Sequence, residues 1–273
     1  MRIIHISDLH IQEKESLSIQ RIERLFETLQ NYQFDHLVIT GDISDSGKRE
    51  EYEICVDFLK RYGYYHYHHC TVIPGNHDIS GNADLNISNN YEKRLAQKKQ
   101  FFDSFATLFL NADCISIDNP QTDLIIKKEM SNICLVTIDA TSLHHPSFGE
   151  VTSEQFKKIE SLLNDVNKNK MLIGLIHYPP HSRMTDDERV DKYLVHSLND
   201  SDNVFKKLRQ FSFSLILHGH AHTASRMLDF VSFGIRVVCQ GSATGDITQN
   251  QFPSFDIWEI DSRESFERTT VFF

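Results

Sequence analysis

Metal-compatible side chains follow five apolar runs along this 273-residue sequence. They form the clusters Asp8-Leu9-His10, Gly41-Asp42, Gly75-Asn76-His77-Asp78, His177 and His220-Ala221-His222. Carboxylate and imidazole groups together suit Zn²⁺, Mn²⁺ or Fe, and the amide oxygen of Asn76 suits a hard cation. No thiol belongs to any cluster, which argues against a purely structural zinc site. The residue types therefore point to a metal site whose ligands come from distant parts of the chain.

Each cluster taken alone also has a simpler explanation. An Asp-x-His or a Gly-Asp after a strand is more often a cap or a turn, and Gly-Asn tolerates the left-handed backbone of an ordinary turn. His177 alone fits a hydrogen-bonded core histidine. His220 and His222 are the strongest pair, because two imidazoles two residues apart on an extended segment can face one centre. The order and placement of all five clusters favour the metal site.

The elements that carry these clusters are predicted strands separated by predicted helices. Residues 3–7, 36–40 and 70–73 have the apolar runs of buried strands, and residues 20–31 and 48–61 have helical periodicity. This alternation predicts an α/β core with parallel strands and with ligands at their carboxyl ends. The second half predicts a helix at 152–164 and strands at 124–128, 133–138, 171–176, 213–217, 226–231, 235–239 and 255–260.

Residues 79–120 differ in composition from the segments on either side. Residues 81–90 are rich in Asn and Ser, which is typical of a loop, and residues 91–110 predict a long helix. We predict a single domain over residues 1–273, in which the 79–120 segment is an insertion near the site. Such a segment would form a lid, a dimer interface or both.

Composition and charge narrow the classes of partner. The formal net charge of −10 disfavours extensive binding to the phosphate backbone of a nucleic acid. The basic pairs at 93–94, 98–99 and 206–207 are interpreted as parts of solvated helix faces. Metal ions would reverse the local sign and permit a phosphorylated substrate. No apolar run reaches the ~18 residues of a membrane span, and the N-terminus lacks a signal-peptide pattern. We therefore expect a cytoplasmic protein without a membrane partner.

The five clusters together resemble a known family. The motifs D-x-H, G-D, G-N-H-[DE], H and G-H-x-H occur in that order from residue 8 to residue 222, as in the calcineurin-like metallophosphoesterase superfamily. The resemblance implies an α/β four-layer αββα sandwich, in which two mixed β-sheets pack together and helices flank them. It also implies two metal ions that share Asp42, one held by Asp8, His10 and His222 and the other by Asn76, His177 and His220.

The resemblance and two-metal chemistry imply a hydrolytic mechanism. A hydroxide that bridges the two ions attacks phosphorus in line with the departing oxygen. His77 is not needed as a ligand and is assigned as the general acid for the leaving group. Asp45 stands where related phosphatases keep an acidic partner for this histidine, so we assign it to orienting His77; an N-cap or loop role is the alternative. Asp78 is expected to brace its loop.

The residues within and next to the motifs suggest a substrate class. Residues 6–10 and 177–180 are similar to bacterial phosphodiesterases of the cyclic-nucleotide type, so we predict a phosphodiesterase for a small nucleotide-like or cyclic-nucleotide substrate, with two Mn²⁺, Fe or Zn²⁺ ions. Ser46 and Asp78 occupy positions at which serine/threonine phosphatases of the superfamily carry Arg and Glu. This difference disfavours a protein phosphatase. A phosphomonoesterase, a DNA nuclease of the SbcD type and a metal-bound binding module remain alternatives, and the oligomeric state stays open.

Overall fold

A computed structural model of the chain describes residues 1–81, 91–109, 113–114, 124–144, 148–180, 198–222, 230–232, 234–245 and 252–273. The helices in these ranges are α1 (Ser16–Leu29), α2 (Arg49–Arg61), α3 (Asn76–Ser80), α4 (Tyr91–Phe109), α5 (Ser153–Leu163) and α6 (Ser201–Gln210). The strands of the first half are β1 (Arg2–Ile6), β2 (His36–Thr40), β3 (Cys70–Ile73), β4 (Asp113–Cys114), β5 (Ile126–Glu129) and β6 (Ile133–Thr137). Those of the second half are β7 (Met171–Leu175), β8 (Leu215–His218), β9 (Phe230–Ser232), β10 (Ile235–Cys239), β11 (Ser254–Ile260) and β12 (Phe266–Phe272).

The strands form two mixed sheets. The first sheet has the order β12-β11-β1-β2-β3, with β1, β2 and β3 parallel and the other two antiparallel. The second has the order β4-β5-β6-β7-β8-β10-β9, with a parallel centre from β6 to β10. Helices connect β1 to β2, β2 to β3, and β6 to β7, and a further helix precedes β8, as the alternation of patterns predicted.

Three clusters of buried apolar side chains fill the spaces between the layers. Ile4 and Ile6 on one face of β1 pack with residues of α1, α2 and α4, whereas Ile3 on the opposite face packs against the second sheet. The outer face of the second sheet, including Val136, packs with α5 and α6. Because successive side chains of a strand alternate between faces, strands apolar on both faces are buried on both. The result is the expected αββα sandwich.

Most predicted elements are confirmed, with ends shifted by a few residues. Thr152 is the N-cap of α5, and it forms the expected capping box with Gln155. The helices α3 and α6 and the strands β4 and β12 were not predicted from the sequence. Part of the strand predicted at 226–231 and much of the 79–120 segment lie outside the described residues, so the role of that segment stays a prediction.

The helix α4 changes one interpretation of the charged residues. Phe101 and Phe105 bury it against the first sheet. Arg94 and Lys98 are 3% and 1% exposed, so their interpretation as part of a solvated helix face was wrong. Among the helices that the structure describes, none is both long enough and apolar enough to cross a membrane.

Candidate metal centre

The candidate ligands meet where parallel strands of both sheets end. Asp8 and His10 follow β1, Asp42 follows β2, and Asn76 follows β3, and these three strands are in register as neighbours. His177 follows β7 in the second sheet, and the remaining two ligands follow β8. Side chains that are far apart in sequence are therefore brought to one edge of the sandwich.

The backbone at this edge is strained. Five candidate ligands have positive φ angles, which are 55° at Asp8, 45° at His10, 49° at Asp42, 70° at His220 and 53° at His222. A left-handed conformation costs a residue other than glycine about 1–3 kcal/mol, and such residues concentrate at functional sites. These left-handed residues lie directly after the strand ends, where the candidate ligands meet.

Two glycines permit the close approach of the loops. A Cβ on Gly75 would lie 2.9 Å from Asp42 Cγ, and a Cβ on Gly219 would lie 2.8 Å from Ser7 Cβ, with oxygen atoms of Asp42 and Asp8 closer still. Non-bonded heavy atoms rest at about 3.5 Å. The glycine of each motif is thus required by packing against a neighbouring ligand loop.

The first group of donors surrounds Asp8 and the end of β1. His222 Nε2 lies 2.9 Å from His10 Nε2 and 3.3 Å from Asp8 Oδ1. His10 Nε2 lies 4.0 Å from Asp8 Oδ1 and 3.8 Å from Asp42 Oδ2. One ligand atom of each of these four residues lies within 4.8 Å of the others, which is close enough for a single ion.

The second group of donors surrounds the amide of Asn76. Its Oδ1 lies 3.0 Å from His177 Nε2 and 2.8 Å from His220 Nδ1. His177 Nε2 is also 3.3 Å from Asp42 Oδ2. Asp42 therefore belongs to both groups, as the resemblance implied for the bridging ligand.

The environment of these donors fits a cation. Asp42 Oδ2 is buried and accepts no hydrogen bond from the residues described, and a buried oxygen without a partner is costly unless something else compensates it. His177 Nδ1 lies 2.7 Å from Thr40 O, so its N–H donates to that carbonyl and Nε2 is the ring nitrogen that faces the centre, where a metal ion would take the place of a proton. Such an outer hydrogen bond is typical of metal-bound histidines.

The charge states favour ionised carboxylates. Burial alone would raise the pKa of Asp8, but the hydrogen bond and charge of His222 lower it to about 2. The pKa of Asp42 is also held well below its ordinary value, chiefly by His177 acting against burial. Burial would lower the pKa of His177, yet the charge of Asp42 raises it to about 9. The centre thus holds buried negative charge that attracts a positive partner.

His77 and Asp45 lie beside the first group. The backbone N–H of His77 donates to Asp42 Oδ1 at 2.8 Å, and His77 Nδ1 lies 3.0 Å from the carbonyl oxygen of Asp45. The carboxylate of Asp45 is 3.7 Å from His77 Nδ1 and 3.6 Å from His10 Nδ1. The hydrogen bond that orients His77 therefore comes from the backbone of Asp45. Lys48 is the N-cap of α2, so the N-cap alternative for Asp45 was wrong.

Two buried carboxylates hold the loop that carries Asp42 and Asp45. Asp78 accepts from the backbone N–H of Gly75 at 2.8 Å and of Ser44 at 2.9 Å, so it braces the loops after β2 and β3 as expected. Glu51, which is 2% exposed, accepts from Ser44 Oγ at 2.9 Å and from Ser46 N at 3.0 Å. These contacts lie on either side of Asp45.

The buried position of Glu51 was not predicted from the sequence. Acidic residues in the first turn of a helix usually face solvent, where they favour the helix dipole. The available signal was its spacing, because Glu51 shares a helical face with Cys55 and Leu59, and both are buried.

Comparison with known proteins gives consistent matches. The family model described as calcineurin-like phosphoesterase matches residues 1–224. A probable glycerophosphodiester phosphodiesterase of Arcobacter nitrofigilis is 28% identical over 189 residues, which cover 66% of this chain but only 58% of that protein. A probable cyclic nucleotide phosphodiesterase of Vesicomyosocius okutanii subsp. Calyptogena okutanii is 25% identical over 247 residues, which cover 88% of this chain and 86% of that protein.

One solved structure with a similar fold is a phosphopantetheinyl hydrolase from Mycobacterium tuberculosis. It superposes with a TM-score of 0.50 at 13% identity, covering 88% of this chain and 89% of that chain. At this identity the similarity supports the arrangement of the two sheets and carries no information on substrate.

Proposed function

The chain belongs to the calcineurin-like phosphoesterase family, and on that basis we propose that it is a two-metal phosphodiesterase for a small substrate. The observation that carries this proposal is the position of Asp42. Its Oδ2 lies 3.3 Å from His177 Nε2 and 3.8 Å from His10 Nε2. One carboxylate thus faces a nitrogen donor from each group, as a bridging ligand must.

The proposed cofactors are two ions of Mn²⁺, Fe or Zn²⁺, which nitrogen and oxygen donors of this kind accept. The proposed ligands, with Asp42 shared, are Asp8, His10 and His222 for one ion and Asn76, His177 and His220 for the other. Bound there, the ions would act as Lewis acids toward the phosphoryl group and lower the pKa of an attacking water.

The proposed role of His77 follows from its two hydrogen bonds. The bond from its backbone N–H to Asp42 Oδ1 places the residue beside the shared carboxylate. Because Nδ1–H donates to the carbonyl of Asp45, the other ring nitrogen, Nε2, is free to carry a proton to the leaving oxygen. We assign His77 as the general acid and Asp45 as the residue that orients it.

The proposed substrate is a small phosphodiester of the nucleotide-like or cyclic-nucleotide class. Both curated relatives bear names of phosphodiesterases, one for glycerophosphodiesters and one for cyclic nucleotides. The match to the second covers more of this chain, and the motif wording agrees with it. A net charge of −10 disfavours a nucleic-acid polymer, which needs a basic surface.

An activity panel with added Mn²⁺ tests the proposal. It contains bis-p-nitrophenyl phosphate, p-nitrophenyl phosphate, 2′,3′- and 3′,5′-cyclic nucleotides, glycerophosphodiesters and short DNA. Wild type and Asp57→Asn, which alters an exposed carboxylate of α2, should hydrolyse the small diesters. Asp42→Asn should lose this activity and bind both metals more weakly. Two fully occupied metal sites in Asp42→Asn would refute the bridging role, and degradation of DNA alone would support the nuclease alternative instead.

A further inference from the structure

Arg94 on α4 is a buried cation, and only part of its guanidinium group is hydrogen-bonded to the residues that the structure describes. Its side chain is 3% exposed, and Nη1 donates to the carbonyl of Leu143 at 2.8 Å. The nitrogen atoms Nε and Nη2 are also buried, and no acceptor among the described residues bonds to either. These two atoms form one edge of the guanidinium group. That edge is the one that binds both oxygens of a carboxylate or phosphate.

The neighbouring cation on the same helical face shows what Arg94 lacks. Lys98, one turn further along α4, forms a buried ion pair with Asp139 at 2.8 Å. Asp139 also accepts from the backbone N–H of Leu124 and of Thr141, both at 3.0 Å, so its oxygens are engaged. A buried guanidinium without an anionic partner is strongly destabilising. The fold therefore supplies a counter-charge for Lys98 and none, among the residues described, for Arg94.

Arg94 contacts the segment that follows β6, and the carboxyl end of β6 lies beside that of β7. Leu143 belongs to the segment that follows β6, and β6 is the neighbour of the strand that ends before His177. Gln97, three residues after Arg94, donates from Nε2 to the carbonyl of Ser46 at 3.1 Å. Its Oε1 is buried and has no donor within the described part of the chain. Within the described part of the chain, this face of α4 thus has two nitrogen donors of Arg94 and one oxygen acceptor of Gln97 without partners, and Gln97 contacts the loop that carries Asp45.

We propose that Arg94 and Gln97 form a binding site for a small oxyanion, a phosphate or carboxylate. The Nε and Nη2 edge of Arg94 would donate two parallel hydrogen bonds, and Gln97 Oε1 would accept from a protonated oxygen of the ligand. Because the donor and acceptor atoms are buried, the proposed ligand is a compact anion rather than a polymer. The anion has two possible sources, free phosphate or an anionic substituent of the substrate.

Calorimetric titration of the metal-free protein with inorganic phosphate tests the site itself. Removing the metals takes away the cations that would bind phosphate at the proposed catalytic centre, and the Arg94→Lys comparison assigns the remaining binding to Arg94, so this measurement does not depend on the proposed function. Wild type and Lys99→Met, which removes an exposed charge from the same helix, should bind phosphate saturably. Tenfold excess over Kd should raise Tm by about 3–6 °C. Arg94→Lys, which offers a point charge instead of a fork, should bind at least tenfold more weakly.

Arg94→Met should not respond to phosphate at all. If that variant does not fold, the comparison of wild type with Arg94→Lys still decides. Absence of saturable binding of phosphate, sulfate or acetate to folded wild type would overturn the proposal and indicate that water satisfies Arg94. Equal binding by wild type and Arg94→Lys would overturn it as well, because the guanidinium edge would then have no role.

Kinetics of the metal-loaded enzyme distinguish the two sources, and only this arm rests on the proposed function. It compares bis-p-nitrophenyl phosphate with an alkyl p-nitrophenyl phosphate that ends in a carboxylate. If the substrate supplies the anion, Arg94→Lys raises KM for the carboxylate-bearing diester by tenfold or more and leaves KM for the other unchanged. If free phosphate is the ligand, both KM values stay as in wild type while phosphate binding is weakened.

Discussion

Substitution of Gly75 by alanine tests whether the position of Asp42 controls activity. Gly75 has a φ of −111°, which other residues also adopt, so the backbone itself tolerates a side chain. The added Cβ would lie 2.9 Å from Asp42 Cγ and closer still to its Oδ1 and backbone nitrogen. With a resting separation of about 3.5 Å between non-bonded heavy atoms, the shared carboxylate must move by roughly 1 Å.

A displacement of this size at the shared ligand should lower kcat by about 10²-fold and weaken both metal ions. Crowding should also destabilise the fold by about 1–3 kcal/mol. The matched control is Gly63→Ala, at a φ of +80° with no neighbour within 4 Å of its Cβ. Its backbone strain costs a similar amount of stability but leaves the centre untouched.

The assay combines kcat on bis-p-nitrophenyl phosphate, elemental analysis of bound metal after dialysis, and Tm. Gly75→Ala should lose activity and metal, whereas Gly63→Ala should lose only stability. Wild-type kcat and metal content in a folded Gly75→Ala would refute the inference that the position of the Asp42 carboxylate controls activity.

Three further predictions concern the general acid His77, the buried carboxylate Glu51 and the effect of His36 on stability. His77→Ala should keep both metals but slow hydrolysis by about 10²-fold or more, most for diesters with poor leaving groups; equal losses across a leaving-group series would argue against the acid role. Glu51→Gln should lower the free energy of unfolding by about 2 kcal/mol and reproduce part of that leaving-group dependence, because one carboxylate oxygen that accepts from Ser44 or Ser46 is lost. The control Glu53→Gln, at an exposed position, should change neither kcat nor Tm. Wild-type kinetics in Glu51→Gln would count against a role of Glu51 in holding the loop around Asp45. Burial lowers the pKa of His36 to about 3, so between pH 3 and pH 6.5 only the unfolded state binds the proton. The free energy of unfolding therefore decreases as the pH is lowered through this range, by about 2 kcal/mol at pH 5. Other buried histidines, among them His5 and His218, also have lowered pKa values. Urea unfolding at pH 7 and pH 5 should therefore show a loss that is about 2 kcal/mol smaller in His36→Gln than in wild type, and an equal loss in both proteins would contradict the prediction.

Local sequence patterns were sufficient to predict the parallel strands and the residues that follow them. The apolar runs before Asp8, Asp42 and Asn76 are continuous because both faces of these strands are buried. Such runs can be read without knowing which element packs on either face. The order of the motifs then identified the family, since that information lies in residue types and spacing alone.

Elements with weaker patterns were not predictable in the same way. The strand β12 lies at the edge of the first sheet, and most of its residues are only partly buried or exposed. Its sequence therefore lacks an apolar run, and pairing with β11 determines its structure. Propensity is a weak guide where hydrogen bonds to a neighbouring strand supply the order.

Only the tertiary structure decided which polar residues became buried and what they contact. Glu51 and Arg94 both look like solvated helix residues in sequence, yet Glu51 holds the loop around Asp45, and Arg94 has two buried nitrogen donors without an acceptor among the described residues. The sharing of Asp42 between two donor groups likewise depends on β2 ending beside β1, β3 and β7. Sequence patterns report whether a position is suited to burial, whereas the partner of a buried charge is set by loops and helices that meet only in the folded chain.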